Sequence, residues 1–173
     1  MEQGGTTIGQ LLLAAFLSSA VVSSVLGLIF HSYVTRIEQK IRSQRTWKER
    51  SVGELLGPVT MQLDRTERAF QRWNQKNLYL EAKVIREGNS KIRDLLLENG
   101  HLIPPELLED AGKLIEHYDV WLEKFEKQRE SANPDLESPF TFVGPEGYPF
   151  PHQSANRFQE TFRKYWSDLY GED

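Results

Sequence analysis

The run IGQLLLAAFLSSAVVSSVLGLIF, residues 8–30, holds no Asp, Glu, Lys, Arg, His or Pro, and its reading decides the rest of the chain. At 1.5 Å per residue a helix over these positions rises about 34 Å, enough to cross a hydrocarbon core of about 30 Å with some tilt. The sequence therefore predicts a single transmembrane helix over 8–30. A cleaved signal peptide fits poorly, because the leader 1–7 contains Glu2 but no Lys or Arg, and the apolar run is too long.

The residues that follow set the orientation. Arg36, Lys40, Arg42, Arg45, Lys48 and Arg50 stand against only Glu38 and Glu49 between positions 31 and 50. Basic residues beside a span stay on the cytoplasmic side and attract anionic headgroups. The expected topology is thus N-terminus outside and C-terminal domain in the cytoplasm, in the inner or plasma membrane. Lys48 and Arg50 close a predicted basic helical stalk over 31–53.

Charge is divided unevenly along the 173 residues. The formal net charge is −4, yet beyond position 50 fifteen basic residues face twenty-two acidic ones. That acidic remainder argues against nucleic acid as the main partner, since phosphate binding relies on Lys and Arg. The chain has no cysteine, which agrees with a reducing compartment.

Inside the predicted span, Ala15, Ser19, Ser23 and Gly27 recur at every fourth position. Small residues at that spacing let helix backbones approach closely in lipid, so the stripe predicts self-association into a homo-oligomer. The lipid bilayer and a cytoplasmic protein are the other expected partners.

Downstream the pattern predicts an all-α bundle over 54–130. Gly57 and Pro58 suit a helix start, and Val59, Leu63, Thr66, Phe70, Trp73, Asn77, Leu80 and Val84 follow steps of three and four, one helical stripe. Gly88-Asn89-Ser90 reads as a break, with Asn89 or Ser90 capping a short helix that ends at Asn99-Gly100. Pro104-Pro105-Glu106 then opens an amphipathic helix whose apolar face includes Leu107, Ala111, Leu114, Tyr118, Trp121 and Phe125.

Residues 131–153 are rich in Pro, Ser and Gly, and Phe140 to Val143 and Tyr148 to Pro151 resemble two short extended arms around a Gly144-Pro145 turn. A last helix over 154–173 places Ala155, Phe158, Phe162, Trp166 and Leu169 on one face. Phe140, Phe142, Tyr148 and Phe150 form a possible partner surface, unless they clamp the C-terminal segment onto the bundle.

Chemistry is harder to find. His31, His101, His117 and His152 have no second histidine three or four residues away, and no cysteine offers a nucleophile. Arg93 followed by His101 invites comparison with the helical ribonucleases of the HEPN class. The chain departs from that motif, because His101 stands farther along and beyond Gly100, so the activity is not carried over. No catalytic residue, metal site or cofactor is expected. The sequence points to a non-enzymatic, membrane-anchored interaction or effector protein that self-associates through its span. An oligomeric pore-forming or membrane-disrupting subunit is the first alternative, and a membrane-tethered enzyme of unrecognised type the second.

Overall fold

A computed structural model describes residues 7–73, 77–140 and 147–171, without the side chains at 11–18, 20 and 21. Two compact units emerge, residues 1–45 and 46–173. The described residues are all helical or irregular, with no strand among them.

Helix α1 (Ile8–Arg50) begins at the predicted position and runs on past Phe30 without a break. Its described apolar side chains face outward: Val22, Leu26, Leu28, Ile29 and Phe30 are all more than half exposed. Among the described residues no helix is long and apolar enough to cross a membrane.

The second unit is a four-helix core. A π-helical segment at Ser51–Leu56 precedes α2 (Gly57–Arg72), and it turns Val52, Leu55 and Leu56 inward together. Gly57 is required there, because an added Cβ would meet the Val52 carbonyl oxygen at 2.9 Å and the Phe162 ring at 3.4 Å. Pro58 does not start a helix as expected: Leu56 and Gly57 are both in the right-handed helical region, so the chain stays helical from the π-helical segment through Pro58 into α2.

The long stripe predicted through Asn77 and Val84 is cut short. Trp73 leaves the helical region at ψ 130°, and Asn77 restarts the chain by accepting the Leu80 N–H on its side-chain oxygen at 3.1 Å. Asparagine favours such a local bond over a place inside a helix, which the three-and-four spacing alone does not register. Phe70, expected on the buried stripe, is 51% exposed.

Gly88-Asn89-Ser90 is also not a break. Helix α3 (Glu87–Glu98) runs through it, continuous with a π-helical segment at Leu80–Arg86, and no side chain caps it. Gly88 serves packing instead: a Cβ there would fall 2.3 Å from Thr66 Cγ2, so its absence lets α3 lie against α2. Helix α4 (Leu108–Phe125) follows the 3-10 turn Pro105–Leu107, as its prolines predict, and buries Ala111, Leu114, Tyr118, Trp121 and Phe125.

Helix α5 (His152–Tyr170) packs on α2 and α4 and ends at Gly171 in the left-handed region, φ 65°. Ala155 and Phe158 are buried and Phe162 and Leu169 pack against the core as expected, but Tyr165 is buried in place of Trp166, which is 41% exposed. Tyr165 is drawn in by two partners: its hydroxyl donates to Glu106 at 3.2 Å, and Lys48 Nζ lies 4.6 Å from its ring centre. At the other end of α5 the Ser154 hydroxyl donates to buried Asp110 at 2.8 Å, joining its first turn to that of α4.

The hairpin expected within 131–153 finds no strand among the described residues. Phe142 and the Gly144-Pro145 turn lie outside them. Phe140 is held in a small core with Trp121 and Phe125, at ring centre distances of 5.2 and 5.7 Å.

Candidate functional site

Where α2, α3, α4 and α5 converge in the second unit, a cavity of about 330 Å³ remains. That volume is within the range of small-molecule sites. Its wall includes four aromatic rings, Phe70 of α2, Tyr118 and Trp121 of α4, and Phe150 just before α5. Each is positioned by a heptad-like step already visible in the sequence, except Phe150, which reaches the site because the loop folds back over α4.

His117 anchors that loop. Its Nδ1–H donates to the Tyr148 carbonyl at 3.0 Å, the only polarity a carbonyl partner allows. Phe150 stands edge-on between His117 and His152, at 5.4 and 4.8 Å. Burial pushes the His117 pKa down, and nearby His152 acts in the same direction, against the raising effect of the Tyr148 bond. The ring is therefore held neutral at pH 7, with the proton on Nδ1.

Among the described residues, the buried side chains of Tyr118 and Asn89 have no hydrogen-bond partner. The Tyr118 hydroxyl is buried and unbonded, and desolvation pushes its pKa well above the usual phenol range. The Asn89 side chain lines the cavity at 5% exposure and has no hydrogen bond among the described residues. By contrast Thr66, also at the wall, turns its hydroxyl back to the Gln62 and Leu63 carbonyls at 3.0 and 3.1 Å.

The expected site residues are dispersed. Phe140 is core rather than surface, Phe150 is half-buried at the cavity, and Tyr148 is 40% exposed beside it. In α1, Ser19, Ser23 and Gly27 are exposed, and an added Cβ at Gly27 meets nothing within 4 Å; the Ala15 side chain is outside the described residues. Of the basic flank, Arg36, Lys40, Arg42 and Arg45 are exposed, whereas Lys48 and Arg50 are used within the second unit, Lys48 pairing Asp168 at 2.8 Å and Arg50 pairing Glu54 at 2.9 Å. Those two were expected at headgroups, but acidic neighbours one turn away or on α5 claim them.

Catalytic constellations do not assemble among the described residues. No group of three or more His, Asp or Glu side chains is placed to hold a metal ion. Ser154 and Asp110 bond one another, but no histidine is bonded to Ser154. Arg93 is taken up by Asp94 and Asp119, at 2.8 and 3.4 Å. His101 sits on the 3-10 turn Gly100–Leu102, its carbonyl accepting the Trp47 indole N–H at 3.1 Å.

Sequence reasoning missed both Asn89 and His117. The Gly and Ser neighbours of Asn89 point to a cap, and His117 stands out in the sequence only by having no second histidine at helical spacing. Only the fold of the 147–151 loop over α4 reveals their setting. No protein-family model matches the chain, and neither a curated protein nor a solved structure matches it.

Proposed function

We propose that the protein is a non-enzymatic, membrane-anchored interaction or effector protein, with the helix over 8–30 as its anchor and the helical second unit as a cytoplasmic binding module. The observation that carries this reading is the outward exposure of Val22, Leu26, Leu28, Ile29 and Phe30 on α1, from 57 to 70%. A helix apolar on all sides is stable only when something apolar surrounds it. Residues 8–30 are charge-free throughout, a segment about as long as a bilayer core is thick when helical.

Small residues at Ala15, Ser19, Ser23 and Gly27 support self-association of the anchor. The exposed Arg36, Lys40, Arg42 and Arg45 support retention of the following domain in the cytoplasm, beside anionic headgroups. In the second unit the cavity with its four aromatic rings supports binding of a small molecule.

Membrane fractionation with alkaline carbonate extraction tests the reading. The full chain should remain in the membrane pellet, and a chain lacking residues 1–30 should not. Release of the full chain by carbonate would overturn it.

A further inference from the structure

The cavity between α2 and α5 has a chemical signature beyond its size. Its described lining contains no Lys or Arg, and Glu67 stands at the exposed edge, so it holds no permanently charged cation for an anionic ligand, only the imidazoles of His117 and His152. Phe70, Tyr118, Trp121 and Phe150 contribute ring atoms to the wall; Trp121 is already stacked on Phe125 at 5.3 Å, while Phe70 is 51% exposed, and aromatic rings are surfaces on which planar molecules stack. Against this apolar background stands the Asn89 amide, buried at 5% exposure and unbonded among the described residues.

An asparagine amide has a carbonyl acceptor and an NH₂ donor side by side. A group that satisfies both at once has the inverse pair, a donor next to an acceptor, as in a lactam or carboxamide edge. Among the other polar groups of the wall, the Thr66 hydroxyl bonds Gln62 and Leu63 and His117 Nδ1 bonds Tyr148, whereas the buried Tyr118 hydroxyl has no hydrogen bond among the described residues. Asn89 is held in place by its neighbour Gly88, which seats this turn of α3 against Thr66 of α2.

We propose that this cavity binds an uncharged, planar small molecule that presents an amide-type donor–acceptor edge to Asn89 and stacks against the aromatic wall. The inference rests on the reading of the second unit as a binding module. A buried polar pair of this kind discriminates strongly, because an analogue lacking the edge leaves the Asn89 amide unpaired.

The test uses the full chain in lipid nanodiscs, with empty nanodiscs as the blank, and ligand-observed NMR titration of quinolin-2-one, 1-methylquinolin-2-one, naphthalene and 2-naphthoate. Quinolin-2-one should bind at least about tenfold more tightly than the N-methyl lactam, which lacks the donor, and than naphthalene, which lacks the edge. The same preference should vanish in Asn89→Leu, a variant checked for folding by its melting curve. Equal binding of quinolin-2-one and its N-methyl analogue to the unaltered protein, or a preference that survives Asn89→Leu, would overturn the assignment. Tightest binding of 2-naphthoate would do the same. If naphthalene alone binds as well as the lactam, cavity binding stands and the Asn89 role falls; if no probe binds above the blank, the binding-module reading falls with it.

Discussion

Arg129 Nε donates to Glu81 Oε2 across 3.0 Å, with both side chains almost wholly withdrawn from water. The pair joins the helical turn before α3 to the one after α4. Around it the Trp73 indole N–H donates to the other Glu81 oxygen at 3.0 Å, and Arg129 Nη1 bonds the Asp135 carbonyl. Removing one partner leaves the other charge buried and uncompensated, a loss of about 3–5 kcal/mol. Glu81→Leu should therefore destabilise strongly, and Glu81→Leu combined with Arg129→Met should recover most of the loss. Urea unfolding of the full chain in mild detergent checks both; equal losses in the single and double variants would count against the ion pair.

Gly88 and Thr66 make a second pair with a sign that can be reversed. Gly88→Ala would place a methyl 2.3 Å from Thr66 Cγ2 and should cost about 1–3 kcal/mol through overpacking. In a Thr66→Ser background the obstructing methyl is gone while the hydroxyl bonds remain. The same alanine should then be neutral or stabilising, by up to about 1 kcal/mol, since alanine is the better helix former. Thermal melts of the four proteins decide it.

Phe140 and Phe150 should separate in a stability assay. Phe140, 1% exposed among Trp121 and Phe125, should cost about 3–5 kcal/mol as alanine. Phe150 is only half-buried at the cavity, and its alanine variant should lose less stability but weaken binding of an aromatic probe. Unaltered probe binding in Phe150→Ala would show that the wall is not used.

His117 gives the second unit an acid-sensitive contact. Its folded pKa is lowered, chiefly by burial, so the unfolded chain takes up the proton first as pH falls. Stability from this group is complete above the unfolded histidine value of about 6.5 and is lost as pH falls through the folded value. Melting temperature should decline from pH 7.5 to 5.5, and the decline should be shallower in His117→Gln. Identical slopes in the two proteins would remove His117 from the account.

In the membrane, Ser19→Leu with Ser23→Leu should weaken crosslinked oligomers of the full chain, because bulkier side chains keep the helix backbones apart. Unchanged crosslinking would mean that the small-residue stripe is not the contact.

Much of the local structure was legible in the sequence. The start of α1 at Ile8, the prolines ahead of α4, and the loop after 130 follow from hydropathy and from the backbone limits of Pro and Gly. These are properties of a residue and its near neighbours, so spacing reports them. The stripe through Asn77 failed because period alone does not register a side chain that prefers to bond its own backbone. Gly88 failed for the opposite reason: a glycine inside a helix looks like a stop until the partner helix is in place.

The sequence by itself determined the helical class and a charge-free segment of bilayer length. Tertiary structure decided what the polar residues do. Nothing local distinguishes Glu81 or Arg129 from the solvated charges beside them, nor Asn89 from an ordinary cap. Their burial follows from contacts between helices far apart in the chain, where the cost of withdrawing a polar group from water depends on what folding places opposite it.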